Sequence, residues 1–233
     1  SLNAINNKML TELCTVLKKS SNDSNVRVVI ITGSEKFFAA GADIKEMEKK
    51  NSNEMYLEDY FTEEHNIISS FRKPLIAGVS GYALGGGCEI SLACHLRLAS
   101  DNAKFSQPEV SLGILPGWGG TQRLPRIIGY GLANEMITTG RMINAKEAHR
   151  IGLVNHVVAL PELLNKCQEV SSEILQNGPN AIAQSLKCIN NSIGLDLESG
   201  LAMEVTRFSE LFSTDETKEG LSAFVEKRKP DFR

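Results

Sequence analysis

The sequence predicts an α/β fold: strand-and-helix units stacked on one shared core, then a helix-rich C-terminal region. Three observations carry this prediction. A β-branched or apolar run, a short second strand, a glycine turn and a helix recur about three times without a tight sequence period, which separates them from a repeat array. Short strands alternating with helices favour a common core over independent domains. From about Asn134 the chain turns helical and more charged, and no linker is long enough to free a second domain. The core is expected over residues 1–159 and a helical region over 160–233. At 233 residues the chain can bury a substantial core.

Asn3 can cap a first helix, in which Ile5, Met9, Leu10, Leu13, Val16 and Leu17 recur at spacings of three and four. Asp23 and Ser24 mark a turn, and the β-branched run 26–32 reads as a buried strand ended by Gly33. Residues 37–43 then lead into a helix from Ile44 to Glu48. The pattern recurs with a strand over 74–79, a loop from Tyr82 to Gly87 and a helix from Cys88 to Cys94. Strands follow at 96–99 and 103–106, then a glycine loop from Gly113 to Gly120 and a helix from Thr121. Residues 133–139 and 145–151 read as helices, and 152–158 as a last strand. Pro161 sits where a helix to about Gln176 would begin, a position proline favours.

Composition excludes several classes. The hydrophobic and charged fractions, 42% and 23%, are those of a globular protein. A net charge of -3 provides no basic field for nucleic acid, and the apolar runs are too short to span a bilayer. Five cysteines without a C-x-x-C pair read as reduced thiols. The expected location is therefore the cytoplasm or, alternatively, the mitochondrial matrix. No signal or transit peptide is visible, yet Ser1-Leu2-Asn3-Ala4 already lies inside a helix start, so the natural protein is expected to begin earlier.

The chemistry concentrates in Gly81-Tyr-Ala-Leu-Gly-Gly-Gly-Cys-Glu89. The loop fails the dinucleotide fingerprint at Ile90 and lacks the Lys and Ser/Thr of a P-loop. Successive glycines still let backbone N–H groups approach a ligand at a helix start. Ala40-Gly41-Ala42 occupies the same setting at an earlier strand-to-helix junction. Two such junctions can aim one N–H each at a single oxygen, forming an oxyanion hole. Glu89 lies in an apolar helix, and Glu109 precedes Val110, Leu112 and Ile114. Carboxyls in apolar surroundings have raised pKa values and can share a water as general base and acid.

Rival chemistries find less support. Four histidines show no metal-ligand spacing, so no metal is expected, and no G-x-S-x-G frame marks a serine nucleophile. Cys88 reads as a buried structural thiol. Trp118 is equally compatible with core and with a pocket wall. Lys227-Arg228-Lys229 reads as a solvated face or a contact for a phosphorylated ligand.

Taken together, Phe38-Ala-Ala-Gly-Ala-Asp-Ile-Lys-Glu-Met47, the 81–89 loop, Phe105-Ser-Gln-Pro-Glu109 and Gly113-Ile-Leu-Pro-Gly-Trp-Gly-Gly-Thr-Gln-Arg-Leu124 resemble the enoyl-CoA hydratases of the crotonase superfamily. Residues 219–230 extend the resemblance, which covers nearly the whole chain. It implies a crotonase-like spiral of ββα units with C-terminal helices that build homotrimers or homohexamers. It also implies that the Ala42 and Gly86 N–H groups hold a thioester oxygen, with Glu89 and Glu109 as the catalytic pair. CoA contacts are implied at Ala40, Ala42, Asp43, Ile44, Lys45, Gly86 and Gly117, and more weakly at Phe224 and Lys227. Coenzyme A would belong to the acyl-CoA substrate, with no separate cofactor, nucleic acid or membrane partner.

The expected reaction is hydration of a 2-trans-enoyl-CoA, with Glu89 activating water and Glu109 delivering a proton to C2. Enoyl-CoA isomerisation and hydration of a branched, methylglutaconyl-type thioester remain alternatives, as does a non-catalytic RNA-binding homologue. Two departures from the pattern stand out. The first strand and N-R-P turn expected before Ser1 are missing, and Trp118 replaces a residue often small in short-chain hydratases.

Overall fold

The computed structural model of the chain describes residues 3–57 and 62–232. Helix α1 (Asn7–Asn22) is capped by Asn6, whose side chain accepts the Met9 N–H at 2.9 Å, and it buries Leu10, Cys14 and Leu17. The cap is thus Asn6 and not Asn3. Asn3 takes a left-handed backbone (φ 51°) and donates its amide to the Phe37 carbonyl at 2.9 Å. Ile5 also lies outside the helix. Its N–H donates to Gly41 O and its carbonyl accepts from Asp43 N, both at 2.8 Å. Long-range pairing overrides the helical spacing there.

Three units follow. Strands β1 (Val29–Thr32) and β2 (Phe37–Ala39) precede α2 (Ile44–Met47), α3 (Ser52–Leu57) and α4 (Thr62–Ser69). Strands β3 (Leu75–Val79) and β4 (Tyr82–Leu84) precede α5 (Gly86–Ala93). Strands β5 (Leu96–Ser100) and β6 (Lys104–Ser106) precede a 3-10 turn at Glu109–Leu112 and helices α6 (Gly120–Ile128) and α7 (Tyr130–Thr139). Strand β7 (Ile143–Asn144), helix α8 (Ala145–Arg150) and strand β8 (His156–Val158) close the core. Residues 82–84, expected as loop, are therefore a strand, and α5 begins two residues earlier than expected.

The first strands of the units make one parallel sheet, ordered β1-β3-β5-β8. The second strands make another, β2-β4-β6, with β7 added antiparallel to β6. Each unit thus adds one strand to each sheet, and the chain winds as a spiral. Every residue of β3 is buried, as a parallel strand covered on both faces should be. The main cluster, including Leu75, Ala77, Val79, Ile90 and Phe105, fills one side of the first sheet.

On the other side, Ile76 and Leu98 meet Leu163 and Cys167 of α9 (Leu163–Leu175). Pro161 falls in a 3-10 turn at Leu160–Glu162 and does not open α9 itself. Helices α10 (Pro179–Ser192), α11 (Leu197–Leu211) and α12 (Asp215–Val225) follow. They leave Ile189, Leu197, Val205, Phe208 and Phe212 exposed. Among the described residues no helix is long and apolar enough to cross a membrane.

Candidate active site

The two strand-to-helix junctions meet across the second sheet. Gly41 O and Asp43 N both bond to Ile5, so the N–H of the intervening residue, Ala42, points to the opposite side of the extended chain. Gly86 opens α5, where a first-turn N–H has no carbonyl within its own helix. A methyl group built on Gly86 would come 3.7 Å from the Ala42 nitrogen. The two N–H-bearing residues are therefore neighbours, and both line one cavity of about 380 Å³.

Glu89 enters that cavity from α5, within a segment buried from Gly87 to Leu92. Its Oε1 accepts two backbone bonds at 2.7 Å, from the N–H groups of Trp118 and Gly120. Burial raises its pKa above the ordinary carboxyl value, while those two bonds and the Arg123 charge oppose the rise. Arg123 itself donates to Trp118 O at 3.1 Å and Ser69 Oγ at 2.7 Å.

Glu109 enters from the 3-10 turn and is 8% exposed. Burial first, and then the Glu89 charge, push its pKa up to about 7. Gln107 is wholly buried beside it. With its carboxamide nitrogen facing Glu109, Gln107 donates to the two carboxylate oxygens at 3.2 and 3.1 Å. Gly85 makes room for this group: it has φ 50°, and a methyl there would stand 2.6 Å from Glu109 Oε1. A base or acid poised near neutrality beside a fixed carboxylate can relay a proton through a shared water.

Of the residues singled out in the sequence, Ala40, Ala42, Ile44, Gly86, Glu89, Glu109 and Gly117 all line this cavity. Asp43 and Lys45 do not. Asp43 caps α2 by accepting the Lys45 N–H at 3.1 Å, and Lys45 is exposed. Phe224, 84% exposed, and Lys227 also lie outside the lining. Trp118 satisfies both of its readings, being 5% exposed and a cavity wall. Sequence reasoning missed Ile5, Leu10, Met47 and Met55 as apolar lining, Gln107 as a Glu109 partner and the backbone clamp on Glu89. Among the described residues no group of three His, Cys, Asp or Glu could hold a metal ion.

Comparison with known proteins bears on this geometry. The family model for "Enoyl-CoA hydratase/isomerase" matches residues 1–233. The chain is 47% identical over 231 residues to the short-chain-enoyl-CoA hydratase of Clostridium acetobutylicum, covering 98% of this chain and 88% of that one. It is 41% identical over 231 residues to the 2,3-dehydroadipyl-CoA hydratase of Escherichia coli, covering 99% and 90%. A crystal structure of an enoyl-CoA hydratase subunit from Geobacillus kaustophilus superposes with a TM-score of 0.96 at 38% identity, covering 100% of this chain and 90% of that one.

Proposed function

The chain belongs to the enoyl-CoA hydratase/isomerase family, and on that premise we propose that it adds water across the C2=C3 bond of a 2-trans-enoyl-CoA to give a 3-hydroxyacyl-CoA. The supporting observation is the pair of buried carboxylates on one cavity that Ala42 and Gly86, two neighbouring residues with backbone N–H groups, also line. In this reading the thioester oxygen accepts from the Ala42 and Gly86 N–H groups. Glu89, with Oε1 anchored, takes a proton on its other oxygen from the water whose oxygen attacks C3. Glu109, protonatable near pH 7, delivers a proton to C2. Negative charge gathers on the thioester oxygen as the C3–O bond forms, and the two N–H groups meet it without reorganising. Coenzyme A is part of the substrate, and no other cofactor is required. The exposed apolar residues of α10 and α11 support assembly into homotrimers or hexamers.

Replacing one acid–base partner should lower kcat by about 10²–10⁴-fold. Glu109→Gln should do so on crotonyl-CoA while leaving CoA-ester affinity within a few-fold. If Glu89→Gln and Glu109→Gln both turn over crotonyl-CoA at near wild-type rates, the mechanism is wrong. Supplying a 3-enoyl-CoA and analysing products separates hydration from isomerisation.

A further inference from the structure

We propose that the acyl site selects enoyl thioesters with uncharged, apolar tails and rejects those ending in a carboxylate. This rests on the hydratase reading above and deepens it. Much of the cavity wall is hydrocarbon, including Leu10, Leu84, Leu112, Ile114, Leu115 and Trp118. Among the described residues that line it there is no Lys, Arg or His. Its charged groups are Glu89 and Glu109, which are both acidic. Arg123, whose charge reaches Glu89, does not line the cavity and donates to Trp118 O and Ser69 Oγ.

A tail carboxylate entering this cavity would lose water, find no cation among the described lining residues and share the space with acidic side chains, of which Glu109 holds its proton up to about pH 7. Burying an unpaired ion is far costlier than burying a methyl group. Like charges at close range add to that cost in a low-dielectric site. A terminal methyl meets only the dispersion contacts the wall is built to give. The E. coli relative, named for a dicarboxylyl substrate at 41% identity, therefore shares the family while this cavity fits a different tail.

The test is a matched pair of six-carbon esters, 2-hexenoyl-CoA and 2,3-dehydroadipyl-CoA, which differ at the far end by methyl against carboxylate. Hydration is followed by loss of the conjugated thioester absorbance. Wild-type kcat/KM should favour hexenoyl-CoA by about 100-fold or more, the scale on which sites discriminate against a group they leave unpaired. A ratio within about threefold would overturn the proposal. Calorimetric binding of the saturated pair, hexanoyl-CoA and adipoyl-CoA, reads the same preference without turnover. Hexanoyl-CoA should bind at least about tenfold tighter; equal affinities overturn the tail inference even if hydration is active. Preferential hexanoyl-CoA binding with no hydration of either enoyl ester sinks the hydratase reading and keeps this one.

Discussion

Glu89 and Glu109 face one cavity from two kinds of backbone. Glu89 stands on α5, buried from Gly87 to Leu92, and two main-chain N–H groups grip one of its oxygens at 2.7 Å. Glu109 stands on a four-residue 3-10 turn whose next three residues are exposed, and its partner is a side-chain amide at 3.1–3.2 Å. Main-chain donors cannot rotate away, so they hold Glu89 in place and favour its anion. Glu109 has weaker support for its charge and sits near a charged neighbour, so its proton is held to about pH 7. Two identical side chains thus receive an anchored role and a titrating role from their surroundings alone.

Each glutamate also faces a glycine, and the two glycines offer ways to break the contrast. Gly85→Ala should have the larger effect. Its methyl would stand 2.6 Å from Glu109 Oε1 on a backbone already at φ 50°, so the titrating carboxyl must move. Displacement by about 1 Å can cost roughly 10²-fold in rate, and kcat on crotonyl-CoA should fall on that order. A near-wild-type kcat would mean that the position of Glu109 is not critical. Gly120→Ala should cost less, about tenfold in kcat. Its methyl would meet the Gln107 carboxamide and Pro116 Cβ at 2.9 Å and Glu89 Oε1 at 3.0 Å, and the Gln107 side chain can yield. A Gly120→Ala loss exceeding that of Gly85→Ala would reverse the assignment of which carboxylate is the more tightly held.

The sequence carried the two junctions and both carboxylates because each has a local signature: glycines at a helix start, and a glutamate inside an apolar run. The supports behind them have none. The grip on Glu89 comes from the N–H groups of Trp118 and Gly120, and any residue but proline supplies an N–H. Gln107 looked like one polar residue before a proline until β6 placed it beside Glu109. Ile5 fitted a helical spacing, but its pairing with Gly41 and Asp43 spans more than thirty positions, beyond any window of periodicity. The three-residue β4 and two-residue β7 are too short to show alternation and exist through their partners in the sheet. The spiral and the carboxylate pair were legible; the hydrogen bonds that differentiate the pair were tertiary.

The smallest predicted effect is on stability and isolates the titrating role from catalysis. An unfolded glutamate titrates at about 4.3, whereas burial lifts Glu109 to about 7 in the folded chain. Between those values the folded state holds a proton that the unfolded state has released. Stability from this group therefore falls as pH rises through the window, and the full penalty is present above it. Glutamine carries no such charge. The melting temperature of Glu109→Gln should exceed wild type by a few degrees at pH 8, and the difference should shrink as pH falls toward 5. Any loss of the Gln107 hydrogen bond adds an offset that does not vary with pH, so the slope of the difference is the readout. A difference that stays constant from pH 5 to 8, or grows toward acid, would show that Glu109 is not the group holding a proton in the folded site.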